Sequence, residues 1–379
     1  MKKITKTIQT FCHLAVLLLL FSVLVLPIAC KKHFDQQVLK EFRQVNLVGN
    51  NNEYGAPHID PALLNSWGLA FNPTGIAWVS AQTGHVSTIY DKLGNTLRKP
   101  VNIPSPEGPK GGNPTGIVFN NSDGKFFLSD KQKATFLFAG IDGVLSGWNP
   151  TAGDNALLIK NNSATSAYTG LAIGKSNGTD YLYAANFKTR KIDVWNGSFS
   201  SVSMSFNDPD LPSGYAPFNI QNIEDKLYVA YAKVASDGDE EPGSGNGFVD
   251  IFNTNGSFVK RFASKATLNA PWGLAKAPAS FFADTDDSGL ENLLENGHKD
   301  HTQPAILVGN FGDGRINAFD LNGKFLGQLK TENKVMTIDK LWAISFPPST
   351  ATSIDPNRLY FTAGPDDEAD GLFGYIVKQ

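Results

Sequence analysis

The apolar positions of this chain fall into one short pattern that returns six times. SWGLAF (66–71), PTGIVF (114–119), YTGLAI (168–173), PFNIQN (217–222), PWGLAK (271–276) and LWAISF (341–346) are versions of a single strand-length run. With Gly68, Gly116, Gly170, Asn219, Gly273 and Ala343 taken as equivalent, the spacings are 48, 54, 49, 54 and 70 residues. A fixed period of this size marks a repeat architecture, in which each unit is one supersecondary motif. The long last spacing coincides with a polar, acidic stretch over 283–303, read as an insertion of about twenty residues into an otherwise regular fifth unit.

Each unit carries further runs in the same order, with the periodicity of strands. The second is IAWVSA (76–81), KFFLS (125–129), YLYAA (181–185), KLYVA (226–230), AILVG (305–309) and RLYFTA (358–363). A third alternates and then turns: VSTIYDKLGN (86–95), KIDVWNG (191–197), FVDIFNTNG (248–256) and RINAFDLNG (315–323), with Gly140 to Gly143 as the turn of the second unit. Asp, Asn and Gly close these runs because a tight hairpin needs positive backbone dihedrals. A fourth run follows, as in SFVKRFA (257–263) and KFLGQLK (324–330). The expected fold is all-β: a six-bladed β-propeller with four antiparallel strands per blade. The last unit shows only three strands, and FRQVNLV (42–48) supplies the fourth, pairing the two ends of the chain and closing the ring.

Composition agrees with many short strands joined by turns. There are 36 Gly, 21 Pro, 26 Phe and only 3 Met among 379 residues, and 18% of residues are charged. Residues 1–29 have a basic start and an apolar run from Leu14 to Ala29, the layout of a signal peptide; sixteen residues fall short of a membrane span. Cys30 follows in PIACKK, which resembles the lipobox of bacterial lipoproteins; that resemblance implies a lipidated tether over 30–39, with ordinary secretion as the alternative, and 40–379 is read as the propeller. Without Lys2, Lys3 and Lys6 the chain counts 30 basic against 36 acidic residues, a net charge of −6, which disfavours nucleic acid as a partner. The body after Cys30 has no cysteine, hence no disulfide and no thiolate chemistry.

The PxGL openings and GxIxxFDxxG hairpins resemble the NHL class of six-bladed propellers along nearly the whole body. WGLAF, GYAPFNIQNI (214–223), GNGFVDIF (245–252), NAPWGLA (269–275), GNFGDGRINAFD (309–320) and LYFTAGPDDEADGLFG (359–374) are similar to a family of exported bacterial propellers of unassigned function. The resemblance implies fold and export, and with the leader a bacterial cell envelope setting. Propellers of this look include binding scaffolds, lactone hydrolases and lyases, so it does not choose an activity.

In a propeller, the loops that enter the first strand and leave the second meet around one mouth of the channel. The first set here contains Asn65, Asn113, Asn219, Asn269 and Asp339, the second Gln82, Asp130, Asn186, Tyr231, Asn310 and Gly364. A circle of amide and carboxylate oxygens suits calcium or the hydroxyls of a sugar, although amides equally cap buried loops. Trp67, Trp272 and Trp342 share one repeat position and are expected to pack between neighbouring blades, with stacking on a glycan ring as the other use. Within the insertion, Asp284, Asp286, Ser288 and Glu295 have the spacing of a calcium loop, and His298, Asp300 and His301 lie beside it. The acidic loop SDGDEEPGSGNG (236–247) reads as a solvated excursion. There is no GxSxG elbow, phosphate loop or dinucleotide fingerprint.

These residues point to an exported, lipid-anchored propeller that binds a small molecule, glycan or envelope protein at its mouth. The alternative is a metal-dependent hydrolase of a lactone or sugar ester, with Asn186, Asn310 and Asp130 holding the cation.

Overall fold

The computed structural model describes residues 39–283 and 303–379. The leader, Cys30 and the calcium-loop residues Asp284, Asp286, Ser288 and Glu295 lie outside the described residues.

The chain forms a six-bladed β-propeller. The innermost strands are Ser66–Phe71, Pro114–Phe119, Tyr168–Ser176, Tyr215–Ile223, Pro271–Ala277 and Leu341–Ser345, and each touches the next around a closed ring. Blade 4 shows the full pattern: Tyr215–Ile223, Lys226–Lys233, Gly247–Asn253 and Phe258–Ser264 pair antiparallel in chain order. Blade 6 is Leu341–Ser345, Leu359–Ala363 and Leu372–Lys378, completed by the N-terminal strand Phe42–Gly49. The two chain ends therefore close the ring, and His58–Ile59 adds a short parallel strand outside. Third-to-fourth turns follow the sequence signal: Asp91 and Asp320 side chains each accept two backbone N–H groups, and Gly94 and Gly323 take φ of 89° and 93°.

Two local departures matter. In blade 2 the second strand is Phe136–Gly140, not KFFLS. Residues 120–135 form an excursion in which Phe126 is buried and Phe127 is 53% exposed, so one apolar run serves as a loop anchor while the next forms the ladder. Gly140 to Gly143 consequently joins the second and third strands, Phe136–Gly140 and Val144–Trp148. In blade 3 three strands are laddered, Tyr168–Ser176, Thr179–Asn186 and Lys191–Asn196.

All six inner strands share an irregularity. Their pairing with the second strand slips between Ser66 and Leu69, Pro114 and Ile117, Tyr168 and Gly170, Pro217 and Asn219, Pro271 and Gly273, and Leu341 and Ile344. A bulge re-aims the side chain it carries. Here it accompanies the turn of Trp67, Phe218, Trp272 and Trp342 inward, where Phe187 and Phe311 join them in one cluster. Trp67 and Trp342 stack at 3.6 Å, Phe311 and Trp342 at 4.1 Å, and Phe218 reaches Trp342 from blade 4 at 5.8 Å. The tryptophans thus plug the channel instead of separating neighbouring blades. The glycine after this position lets inner strands approach: a Cβ on Gly68 would stand 2.1 Å from the Thr115 carbonyl of the next blade.

Candidate functional site at the channel mouth

The plug forms the floor of the mouth, and polar side chains from several blades stand above it. Asn65 enters blade 1 with φ 41°, a left-handed conformation that asparagine tolerates, and is 1% exposed. Its Nδ2 donates to Glu368 at 2.7 Å and to Gln82 at 3.0 Å, while its Oδ1 accepts from Trp342 Nε1 at 2.9 Å. Gln82 Nε2 donates onward to Asn113 Oδ1 at 3.3 Å, and the Asn113 N–H donates to Asp142 at 2.9 Å. One polar chain therefore runs from blade 6 to blade 2.

Glu368 is presented by an unusual turn. Asp366, Asp367 and Glu368 all have positive φ, 55°, 52° and 71°, and the Glu368 N–H returns to the Gly364 carbonyl at 2.9 Å. Such residues cost free energy and cluster at functional sites. From blade 4 the acidic loop reaches the same place. Asn269 Oδ1 accepts the Gly243 N–H at 2.6 Å and Lys233 pairs with Glu241 at 2.6 Å, which sets Glu240 close to Glu368 and Lys340. Lys340 lies 4.8 Å over the Phe311 ring and pairs with Asp367 at 2.9 Å.

The electrostatics follow from this crowding. Burial, with Glu368 and Asp239 adding to it, pushes the Glu240 carboxyl up to about 7. Burial also raises Glu368, against the opposing pull of the Asn65 hydrogen bond and Lys340. Burial alone would lower Lys340, but Asp367, Glu368 and Glu240 outweigh it and raise the amine. Asp142 is raised by burial. Among the described residues two buried polar atoms have no protein partner, the Trp67 Nε1 donor in the floor and the Asn310 Oδ1 acceptor.

The expected ring of oxygens is thus only partly assembled. Asn65, Gln82 and Asn113 stand together. Asn186 caps its own blade, accepting the Ala167 and Thr189 N–H groups and donating to Asp193. Asn310 donates to the Thr267 carbonyl and to Asp313. Asn219 lies lower in the channel wall, donating to the Trp272 carbonyl at 2.8 Å, and Asp339 is exposed. Tyr231 is not at the mouth: the second strand of blade 4 continues to Lys233, so Tyr231 remains in the ladder and packs between blades 3 and 4. Asp130 lies at the opposite face, in the blade 2 excursion, bound to Asn149 and Thr151. Asn186, Asn310 and Asp130 therefore do not meet. Among the described residues no group of three or more His, Cys, Asp or Glu is placed to hold a metal ion. Glu240, Glu368 and Lys340 were missed; the signal for the two carboxylates was the charge of the 236–247 and 364–371 loops.

No protein-family model matches the chain. It is similar to two uncharacterised proteins of Acanthamoeba polyphaga mimivirus: L690, 34% identical over 352 residues that cover 88% of this chain and 86% of that protein, and R648, 32% identical over 350 residues that cover 88% and 80%. Among solved structures, a protein of unknown function from Bacteroides thetaiotaomicron superposes with a TM-score of 0.50 at 10% identity, covering 83% of this chain and 70% of that one. A virginiamycin B lyase from Staphylococcus aureus gives 0.47 at 13% identity, covering 89% and 98%. The first shows a shared fold only, and the second is too distant to carry an argument about activity.

Proposed function

This chain belongs to the family of the mimivirus proteins L690 and R648, and we propose that it is a binding propeller whose channel mouth takes a positively charged group, an amine or guanidinium of a small molecule or of a protein partner. The observation that carries this reading is the placement of Glu240 and Glu368 beside a single ammonium, Lys340, above an aromatic floor. Two half-buried carboxylates sharing one cation leave a net negative charge that is poorly hydrated, and an incoming cation compensates it. Putrescine and N-acetyl-lysine amide are suitable probes. Calorimetric titration should give binding that falls at least about tenfold in Glu240→Gln/Glu368→Gln, and equal binding of neutral isosteres would refute the reading.

We also propose, from the leader pattern alone, that the protein is exported and anchored through Cys30; radiolabelled palmitate incorporation that is lost in Cys30→Ala is the test.

A further inference from the structure

We propose that the outer edge of blade 3 is a strand-addition site that takes an extended, acidic peptide segment of a partner protein. The third strand, Lys191–Asn196, is paired on its inner side with Thr179–Asn186. On its outer side the chain turns back, but the pairing stops at the Trp195–Ser201 bridge and the Val202 N–H to Val194 carbonyl bond of 2.8 Å. Antiparallel alternation then leaves the Ile192 N–H and C=O and the Val194 N–H facing outward with no partner among the described residues.

The segment that should complete the blade is a strand without a ladder. Ser201, Ser203, Ser205 and Asn207 are exposed, while Val202, Met204 and Phe206 are half-buried, the period of two that a strand shows. Those apolar side chains pack on the cluster between blades 3 and 4, with Phe206 5.3 Å from Phe252. Asp208 is then fixed to Arg261 of blade 4. The segment is therefore held away from blade 3, and none of the backbone N–H or C=O groups of residues 203–207 has a partner among the described residues. Between the two edges lies a cavity of about 700 Å³ lined by both.

A slot bounded by two unpaired strand edges matches the hydrogen-bonding pattern of one more strand, and exposed edges of this kind are what peptide segments add to. The free stretch from Arg190 to Val194 spans about 16 Å at the usual strand rise. Charge selects the occupant. Asp193 is held by Asn186 and Asp208 by Arg261, whereas Arg190 and Lys191 line the slot, are exposed and form no ion pair among the described residues. Ser203, Ser205 and Thr165 offer hydroxyls to polar side chains.

The test uses the full chain and a fluorescein-labelled, acetylated heptapeptide alternating glutamate with threonine. Anisotropy should show binding, and amide exchange at Ile192 and Val194 should slow with the peptide present. Replacing its glutamates by lysines, or its central residue by proline, should weaken binding by about tenfold or more. Arg190→Glu/Lys191→Glu, at two exposed positions, should invert the charge preference, and Ser205→Trp should block the slot without changing the melting temperature. Absence of binding overturns the proposal, as does equal binding of all three peptides. Slowing of the two amides with protein concentration alone overturns it in favour of a second copy of this chain.

Discussion

Replacing Glu240 by glutamine should make this protein more stable while removing its proposed activity. In the unfolded chain this carboxyl titrates at the usual 4.5, and in the fold at about 7. Below pH 4.5 both states carry the proton and the site imposes no penalty. Between 4.5 and 7 the folded protein holds a proton that the unfolded chain has released, so stability falls as pH rises, and above 7 the loss is complete. The separation corresponds to about 3 kcal/mol. Glutamine is neutral throughout and nearly the same size. Glu240→Gln should therefore match the wild type near pH 4 and exceed it by about 3 kcal/mol near pH 8, a rise on the order of 5 °C in melting temperature. Urea unfolding followed by tryptophan fluorescence at the two pH values measures it, and the difference between the proteins cancels the distant raised carboxyls, Asp142 and Asp250. A gain of equal size at both pH values, or a loss near pH 8, would refute the burial of an ionised Glu240 as the cause. The same variant should bind putrescine less tightly, because a site that stores charge for a ligand is destabilising while empty.

Three further outcomes follow from the packing. Ser66 Oγ, fully buried, bridges the Ala363 and Leu372 carbonyls of blade 6, so Ser66→Ala should cost about 2 kcal/mol in urea unfolding, and an unchanged midpoint would mean that ring closure does not depend on it. Trp342→Ala empties the centre of the plug and removes the donor to Asn65; it should cost about 3–5 kcal/mol and weaken binding at the mouth, whereas a loss below about 1 kcal/mol would contradict a packed plug. Arg261 stands between two buried carboxylates, Asp208 and Asp250, the latter pushed up to about 7 by burial, so Arg261→Met should cost about 3–5 kcal/mol near pH 8 and clearly less near pH 5, where Asp250 holds its proton; melting curves with the same loss at both values would refute it.

What could be read from the chain was whatever repeats locally. Outside blade 2, the apolar runs in order and the Asp or Asn turns closed by Gly94, Gly256 and Gly323 followed from period and turn chemistry, because hairpin pairing is decided within one unit, and the strand at Phe42–Gly49 followed from the one strand missing in the last unit. In blade 2, KFFLS and FLFAG are equally strand-like, and the choice between them is made by packing, since Phe126 is needed in the core between blades 2 and 3. The inner-strand bulge has no signature in apolar periodicity, so Trp67, Trp272 and Trp342 were assigned to the wrong surface even though their equivalence was visible.

The mouth could not be read in the same way, since Glu240 and Glu368 come from loops of different blades and acquire their properties only where those loops meet. The plug explains why the chemistry sits there. With Trp67, Phe218, Phe311 and Trp342 filling the axis, the channel is closed beneath the mouth; a cavity of about 20 Å³ lies among the inner strands below, and a wider one of about 280 Å³ follows toward the opposite face. A ligand from this side therefore meets the loops and the aromatic floor, not a passage. The ring holds those loops at fixed points, Asn65 for Glu368 and Asn269 for the loop of Glu240, so the two carboxylates can be crowded at a cost that the closed propeller bears. Changing Asn269 to Ala should free the acidic loop, let Glu240 return toward 4.5 and abolish cation binding without disturbing the strands. A titration of Glu240 by carboxyl-carbon NMR that still ends near 7 in that variant would show that the ring does not set the site.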